Sequence, residues 1–271
     1  MPAATPETEV AHQYRDGRNL GARQALYHRF GTAQRPWQAW VFDQLGLPDQ
    51  ARILEVGCGS GRLWVENQER LPPGWQVTLS DLSPGMVAEA EAQLGSLPGF
   101  QFVVAELSRL PYLTRSFDAV IANHMLYHVP DLAAGLAEIH RVLATNGVLV
   151  AATNGPAHLR QLRQLQARIG TVSGPRGPVE GAFNLVTGPA LLQNRFGRLT
   201  VRRHAEELWV TDAGAVVAYL RSLPGPRLGK AQAEAVRTFV EAQIERRGHW
   251  SVAVEAGLIR GRRRPRALRA A

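Results

Sequence analysis

One short segment combines an acid with three closely spaced glycines. The segment ILEVGCGSGRLW begins at residue 53, and its apolar run reaches Glu55 before glycine recurs at every second position, at Gly57, Gly59 and Gly61. Glycine tolerates positive φ and lets a ligand approach the backbone without an intervening Cβ. A helix beginning after the last glycine would point its N-terminal amides at the same ligand. The pattern therefore predicts a ligand-binding loop at the end of a buried strand.

Two kinds of nucleoside cofactor compete for such a loop. A nicotinamide dinucleotide requires glycine or alanine five residues after the first glycine, where this chain has the bulky Arg62. A nucleoside sulfonium has no pyrophosphate to hold, so the third glycine can fall at Gly61. The GxGxG spacing therefore favours S-adenosyl-L-methionine.

Polar side chains at the ends of the next predicted strands complete this site. Asp81 ends the second strand, where it can accept hydrogen bonds from both ribose hydroxyls. Glu106 and Leu107 follow the third strand, where a carboxylate or backbone group can bind the adenine amino group and a leucine can cover the ring. Asn123 ends the fourth strand, where its amide or its backbone could meet the methionine part. The predicted cofactor-binding residues of the core are Glu55, Gly57, Gly59, Gly61, Asp81, Leu82, Glu106, Leu107 and Asn123.

Two histidines after the fourth strand, His124 and His128, are the candidates for a general base or an acceptor contact. The alternative is that they begin or pack the next short helix. Cys58 lies inside the glycine loop, and the sequence identifies no histidine or cation that would activate it as a nucleophile. We interpret it as a small residue that the turn tolerates. No cysteine–histidine cluster has metal-ligand spacing, so we expect no metal site.

A segment rich in hydrogen-bond donors precedes the predicted sheet. Residues 12–30 read HQYRDGRNLGARQALYHRF and include Tyr14 and Arg23. Arginine pairs with a carboxylate in bidentate geometry, and the cofactor's carboxylate needs such donors. We predict that this arm closes over the cofactor, with Tyr14 and Arg23 nearest its methionine end. The alternative is an ordinary surface helix with the same donors.

The elements that must position these residues follow from hydrophobic periodicity. Short apolar runs alternate with helical patterns from residue 51 to residue 153, and the clearest helix covers 132–143. The predicted strands are 52–56, 76–80, 101–104, 117–123 and 148–153. Buried strands that alternate with helices predict an α/β fold with a doubly wound, mostly parallel sheet.

The flanking regions differ from this core. Later helices are predicted at 157–169, 212–220 and 228–246, a mobile loop at 170–181, and strands near 199–203 and 256–262. We therefore predict three parts: an N-terminal helical arm over 1–50, a cofactor-binding core over 51–155, and a C-terminal cap with the last strands and a basic tail over 156–271.

Composition excludes several classes of protein. The single cysteine among 271 residues excludes a disulfide framework. No signal-peptide pattern opens the sequence, and no apolar run approaches the ~18 residues of a membrane span. We therefore expect a cytoplasmic protein without a membrane partner. The net charge is +8, of which +6 falls within residues 260–271, so the rest of the chain is nearly neutral.

The motifs together resemble those of class I S-adenosylmethionine-dependent methyltransferases. The matching pieces, which cover roughly 52–155, are ILEVGCGSG, TLSDLSPGM, LPYLTRSFDAVIANHMLYHVPD and EIHRVLATNGVLVAATNG. The resemblance implies a seven-stranded, Rossmann-like sheet whose last strand is antiparallel, and transfer of a methyl group. One departure is Glu106, where an aspartate is common. The flanks resemble a bacterial subgroup with a helical N-terminal arm and a C-terminal cap.

The identity of the methyl acceptor stays open at this level. A nearly neutral body and an enclosing cap favour a small-molecule acceptor. A second possibility is an RNA or protein methyltransferase whose arginine-rich tail contacts a polyanion. A third is a module that binds S-adenosylmethionine without turnover, because a fold does not fix a function.

Overall fold

The computed structural model describes residues 18–170, 183–223 and 228–264, and these contain one seven-stranded sheet. Its order is β3-β2-β1-β4-β5-β7-β6. Strands β1 to β5 pair in parallel, whereas β7 is antiparallel to both of its neighbours. The strands are β1 (Arg52–Val56), β2 (Gln76–Asp81), β3 (Phe100–Val104), β4 (Phe117–Asn123), β5 (Leu143–Asn154), β6 (Phe196–Val210) and β7 (Trp250–Arg263). This is the predicted methyltransferase-type sheet, with the antiparallel strand that the resemblance implies.

Helices cover both faces of the sheet. They are α1 (Arg18–Phe30), α2 (Trp37–Asp43), α3 (Arg62–Val65), α4 (Pro84–Leu94), α5 (Leu132–Val142), α6 (Arg160–Arg168), α7 (Gly188–Leu192), α8 (Ala213–Ser222) and α9 (Lys230–Arg247). Local chemistry fixes several helix starts: the Ser83 hydroxyl caps α4, and the Asp131 carboxylate accepts the Ala134 N–H at the start of α5. These caps determine the residues at which α4 and α5 begin.

Three apolar clusters divide the interior. One lies under α5, and a second lies on the opposite face under α2, α3 and α4. The third joins α1, α6, α8 and α9 to the halves of β6 and β7 that extend past β5. This third cluster builds the cap and attaches the N-terminal arm to it.

The cap differs from its sequence prediction at three places. Helix α6 begins at Arg160 and not at residue 157, because Leu159 has the left-handed φ of +50° and a turn closes between His158 and Gly155. Strands β6 and β7 are much longer than predicted, since they continue past the sheet to carry the cap helices. Most of the loop predicted at 170–181 lies outside the described residues.

The last strand extends slightly further into the basic run than predicted. The predicted strand ends near residue 262, whereas β7 ends at Arg263. Arg263 is buried, and its Nε donates to the His140 carbonyl of α5 at 2.8 Å. Part of the basic run is therefore structural.

Two further features are absent from the described residues. None of their helices is both long and apolar enough to cross a bilayer. Nor do they contain a group of three or more His, Cys, Asp or Glu side chains that could hold a metal ion.

Candidate active site

The glycine loop follows β1 and keeps its backbone in the left-handed region. The φ angles are +63° at Gly57, +54° at Gly59 and +76° at Gly61, so each position favours glycine. The Cys58 N–H donates to the Ser80 carbonyl at 3.0 Å, which ties the loop to β2. The loop therefore lies at the carboxyl edge of the two central strands, where α/β sheets bind ligands.

The three glycines serve different purposes. A Cβ at Gly57 would lie 2.8 Å from the Met125 side chain, and one at Gly61 would lie 2.8 Å from Leu94 of α4. Both glycines are thus needed for close packing. A Cβ at Gly59 would meet no atom within 4 Å, so the backbone there faces open space that a ligand can enter.

Asp81 joins the end of β2 to this loop. Its Oδ2 accepts the Gly59 N–H at 2.9 Å, and its Oδ1 accepts the Ser83 N–H at 2.9 Å. Each oxygen keeps a further lone pair, so the carboxylate can still accept two hydroxyl groups. Leu82 follows with 54% of its side chain exposed, an apolar surface beside the acid. This arrangement fits the ribose and base of S-adenosylmethionine.

The residues after β3 lie next to Asp81. The Ala105 N–H donates to the Asp81 carbonyl at 3.0 Å, and the exposed Glu106 carboxylate accepts the Ser108 hydroxyl. Leu107 is only 7% exposed because it packs under Gly135 of α5. The backbone and carboxylate of Glu106 therefore face the cleft more openly than the Leu107 side chain does.

Glu55 is a buried acid of the strand and not a surface group. Its Oε2 accepts the Trp64 Nε1–H at 2.5 Å. Burial raises the pKa of Glu55 to about 8, the Trp64 bond opposes this rise, and the negative charge of Asp81 adds to it. Burial likewise raises the pKa of the Cys58 thiol, which disfavours the thiolate that a nucleophile requires.

The side chain of Asn123 contacts the helical arm. Its Oδ1 accepts the Trp37 Nε1–H at 3.3 Å, and its Nδ2 donates to Gln38 Oε1 at 3.2 Å. Both partners belong to α2, so Asn123 joins the end of β4 to that helix. Its backbone remains the group that could meet the methionine part.

His124 lines the same corner. Its φ of +57° is unusual for a residue with a Cβ, and its ring lies 4.9 Å from the Trp37 ring centroid. Burial, and then the nearby His128, lower the pKa of His124 to about 4, so the imidazole is neutral at pH 7 and a weak base. The His128 ring packs on Tyr127 at 4.5 Å. The geometry therefore favours a packing role for His124 beside Trp37 over a role as a general base.

The arm helix α1 makes hydrogen bonds to the start of α3 and to the loop after β5. Gln24 accepts a hydrogen bond from Arg62, directly after the glycine loop. One turn later, the Tyr27 hydroxyl and His158 Nε2 are hydrogen-bonded at 3.0 Å, and His158 lies in the loop after β5. Arg23 is one residue before Gln24 on this helix, whereas Tyr14 lies outside the described residues.

A buried histidine connects the arm to the cap. His204 of β6 donates from Nε2 to the Arg35 carbonyl at 2.8 Å, and its ring contacts both Trp37 and Trp40. Burial lowers its pKa, but the Glu206 carboxylate and the Arg35 carbonyl outweigh this, so the net pKa is raised. This contact seats the start of α2 against β6.

Sequence reasoning missed these arm contacts. Its candidates were strand-end residues, whereas the arm is held by Gln24, Tyr27, Trp37, His158 and His204. Tyr27 and His158 are separated by 131 positions, and no local spacing signals such a pair. Trp37 and Trp40 are three residues apart, a helical spacing that indicates packing and not a contact with the cleft.

Comparison with known proteins finds the same family over the core of the chain. The family described as "Methyltransferase domain" matches residues 54–151. The chain is 32% identical to the malonyl-[acyl-carrier protein] O-methyltransferase of Magnetococcus marinus, over 59% of this chain and 60% of that protein. It is 35% identical to the demethylmenaquinone methyltransferase of Beutenbergia cavernae, over 44% of this chain and 47% of that protein. The chain thus spans about half the length of these relatives.

A solved structure supports the fold over nearly the whole chain. The [4+2]-cyclase SpnF superposes with a TM-score of 0.60 at 19% identity, covering 97% of this chain and 98% of that one. At this identity the likeness shows the fold alone. The sheet order, the glycine loop and the family match agree: residues 54–151 form a class I methyltransferase domain, a family whose cofactor is S-adenosyl-L-methionine.

Proposed function

We propose that this chain transfers the methyl group of S-adenosylmethionine to a small-molecule acceptor. The observation that carries the proposal is the position of α1, which is hydrogen-bonded both beside the glycine loop and to the loop after β5. We infer that a helix held at these two points lies over the cleft, and a covered cleft suits a small acceptor better than an extended polymer. The two relatives are named as a malonyl-[acyl-carrier protein] O-methyltransferase and a demethylmenaquinone methyltransferase, and both names agree with an acceptor that presents a small reacting group.

In this proposal the chain's own residues bind the cofactor, orient it towards the acceptor and exclude water from the cleft. Asp81 accepts the ribose hydroxyls, the open backbone at Gly59 lies against the cofactor, and Leu82 and Glu106 border the base. Arg23 and Tyr14 of the arm supply donors to the cofactor's carboxylate. The bound cofactor supplies an activated methyl group on a positively charged sulfur, so the protein need not form a covalent bond. Holding donor and acceptor in line can lower the barrier by ~7–11 kcal/mol.

A general base is not required by this arrangement. Its need depends on whether the acceptor must lose a proton before attack. His124 is poorly suited, since its pKa is lowered to about 4. If the reaction uses a general base, we propose His128 for that role in preference to His124.

The acceptor can be identified by methyl transfer in extract. The purified chain is incubated with cofactor carrying a labelled methyl group and with cell extract that is untreated, ribonuclease-treated or freed of small molecules by ultrafiltration. We expect label in the small-molecule fraction, loss of transfer after ultrafiltration, and no effect of ribonuclease. Label in RNA or protein would contradict the small-molecule acceptor. Tight cofactor binding without any transfer would indicate the non-catalytic module.

A further inference from the structure

Two paired segments of the sheet contain arginines but no acidic residue. These are residues 195–203, which lead into and form the first part of β6, and residues 257–264, which form the end of β7 and the residue after it. The strands place them side by side in antiparallel register. The arginines of the two segments are Arg195, Arg198, Arg202, Arg203, Arg260, Arg262, Arg263 and Arg264. The sheet therefore places the four arginines of residues 257–264 beside the four arginines of residues 195–203.

Several of these side chains share one face of the sheet. Thr200 pairs with Arg260, and Arg202 and Arg262 are each two residues along their strand from that pair. Their contacts agree, because Arg202 donates to Gln44 Oε1 at 2.5 Å and Arg260 Nη2 donates to the Leu45 carbonyl at 3.3 Å. Both partners follow α2. Arg264 lies beside Gly197, the partner of Arg262 in the register. We call Arg202, Arg260, Arg262 and Arg264 the arginine face.

The charge of this face is not neutralised within the described part of the chain. The ion pairs found there give Arg203 a carboxylate partner, Glu255, but give none to the arginine face. Burial, and then the like charges of Arg262 and Arg202, lower the pKa of Arg260. Arg202, Arg262 and Arg264 are exposed. Three exposed guanidinium groups thus lie beside the partly buried guanidinium group of Arg260.

Protection of a sheet edge does not account for this cluster. Charged side chains on an edge strand prevent pairing with other chains, and this reason applies to Arg202 on β6. Arg260 and Arg262 lie on β7, which is hydrogen-bonded on both sides, to β5 and to β6. Protection of an edge strand therefore does not explain the charges of Arg260 and Arg262.

We propose that the arginine face binds the phosphate backbone of a nucleic-acid duplex. Guanidinium groups bind phosphate in bidentate geometry, and residues two apart on a strand repeat at about 7 Å. A row of cations without intervening acids suits a polymer that carries a charge on every unit. The inference concerns a surface away from the cofactor site and does not depend on the proposed methyl transfer.

Two observations favour a duplex over other polyanions. Proteins that bind single strands stack the bases on aromatic side chains, and the exposed aromatic of β6, Trp209, lies at the far end of that strand. An acidic protein partner would need apolar anchors at the centre of its interface. The exposed apolar residue of this half of β6, Val201, lies between Thr200 and Arg202 and so projects to the opposite face. The arginine face offers charge alone, which is enough for a backbone whose bases are already stacked.

The test is duplex binding by the full chain and by two variants of equal charge. The first variant carries Arg202→Gln, Arg262→Gln and Arg264→Gln. The control carries Arg221→Gln, Arg246→Gln and Arg247→Gln, which are exposed positions on the cap helices α8 and α9. Binding of a fluorescent 20-base-pair DNA duplex is followed by anisotropy from low to moderate salt. Thermal unfolding and S-adenosylmethionine binding confirm that both variants are folded.

We expect the arginine-face variant to bind the duplex at least tenfold more weakly than the wild type, and the control less than twofold more weakly. The slope of log affinity against log salt should fall by roughly 0.9 for each phosphate that the variant no longer binds, up to about 3 in total. Equal weakening in the two variants would show a non-specific charge effect and overturn the proposal. So would tighter binding of the single strand or of polyglutamate than of the duplex.

Discussion

Asp81 holds two backbone amides and still has acceptor capacity towards the open space at Gly59. We therefore expect Asp81→Asn to weaken S-adenosylmethionine binding about 10- to 150-fold, which corresponds to a charged hydrogen bond of ~1.5–3 kcal/mol. Isothermal titration calorimetry measures this. Asp118→Asn, which removes an acid paired with Arg52 away from the loop, is the control. Wild-type affinity in folded Asp81→Asn would remove the ribose assignment.

Glu55 makes the stability of the protein depend on pH. Its pKa is raised to about 8, so the folded chain holds a proton that the unfolded chain releases near 4.5. Stability from this group is complete below 4.5 and is lost as the pH rises through about 8. Glu55→Gln keeps an acceptor for Trp64 without the titration. The free energy of unfolding of the variant, relative to that of the wild type, should therefore increase from pH 5 to pH 8.5. Urea unfolding at each pH measures this difference.

The exposed Glu91→Gln on α4 is the control for this pH series. Its unfolding curve should stay parallel to that of the wild type at each pH. A wild type and a Glu55→Gln variant with the same pH dependence would show that Glu55 is already ionised in the folded state.

At the residue scale, the strand-end positions were predictable but the uses of their side chains were not. Glycine spacing and the acid after an apolar run located Gly59 and Asp81. The bond of Asn123 to Trp37 spans 86 positions, and the packing of Leu107 under Gly135 depends on where α5 crosses the sheet. Such contacts are set by tertiary packing, which no local spacing encodes.

At the element scale, α1 is hydrogen-bonded to the start of α3, beside the glycine loop, and to the loop after β5, so we expect it to gain order when the cofactor binds. We expect Tyr27→Phe to lower the hydrogen-exchange protection of residues 18–30 in the presence of S-adenosylmethionine. Without the bond to His158, cofactor binding should weaken about 2- to 10-fold, in line with ~0.5–1.5 kcal/mol for a neutral hydrogen bond.

Tyr112→Phe is the matched control for the arm. Its hydroxyl is buried and finds no partner among the described residues, so its removal breaks no such bond. Equal protection of residues 18–30 in wild type and Tyr27→Phe would mean that α1 packs on the cap regardless of the cofactor.

Periodicity predicted most core elements closely and the cap elements less well. The strand over Phe117–Asn123 was predicted at its full length, because its apolar run ends at polar Asn123. Strand β6 was underestimated, because the prediction near 199–203 covers only part of its first half and stops before residues 204–210. Pairing with β7 continues through those residues as far as Val210 and makes them part of the strand.

At the scale of the whole molecule, β7 joins the core sheet, the cap and helix α5. Arg263 connects it to α5 through the His140 carbonyl. We expect Arg263→Met to lower stability by ~1–3 kcal/mol, since the carbonyl of the partly buried His140 loses this partner. The melting temperature should fall by a few degrees, at about 2–4 °C for each kcal/mol in a chain of this size.

Arg262→Met is the neighbouring control, because that side chain is exposed. Its melting temperature should stay within about one degree of the wild type. An equal fall in both variants would mean that the bond to His140 adds nothing to stability. The measurement is differential scanning calorimetry at one pH and salt concentration.

The position of β7 also governs the order in which the chain can assemble. β7 is inserted between β5 and β6, yet it is synthesised after both. During translation β5 can already pair with β4, while β6 has been made and has no neighbour in the sheet. Until β7 is made, the backbone amides and carbonyls of β6 remain unpaired and exposed to water. An unpaired strand of this kind is a template for contacts between nascent chains. The first half of β6 carries exposed arginines, and we expect their like charges to disfavour pairing with a second copy during that interval.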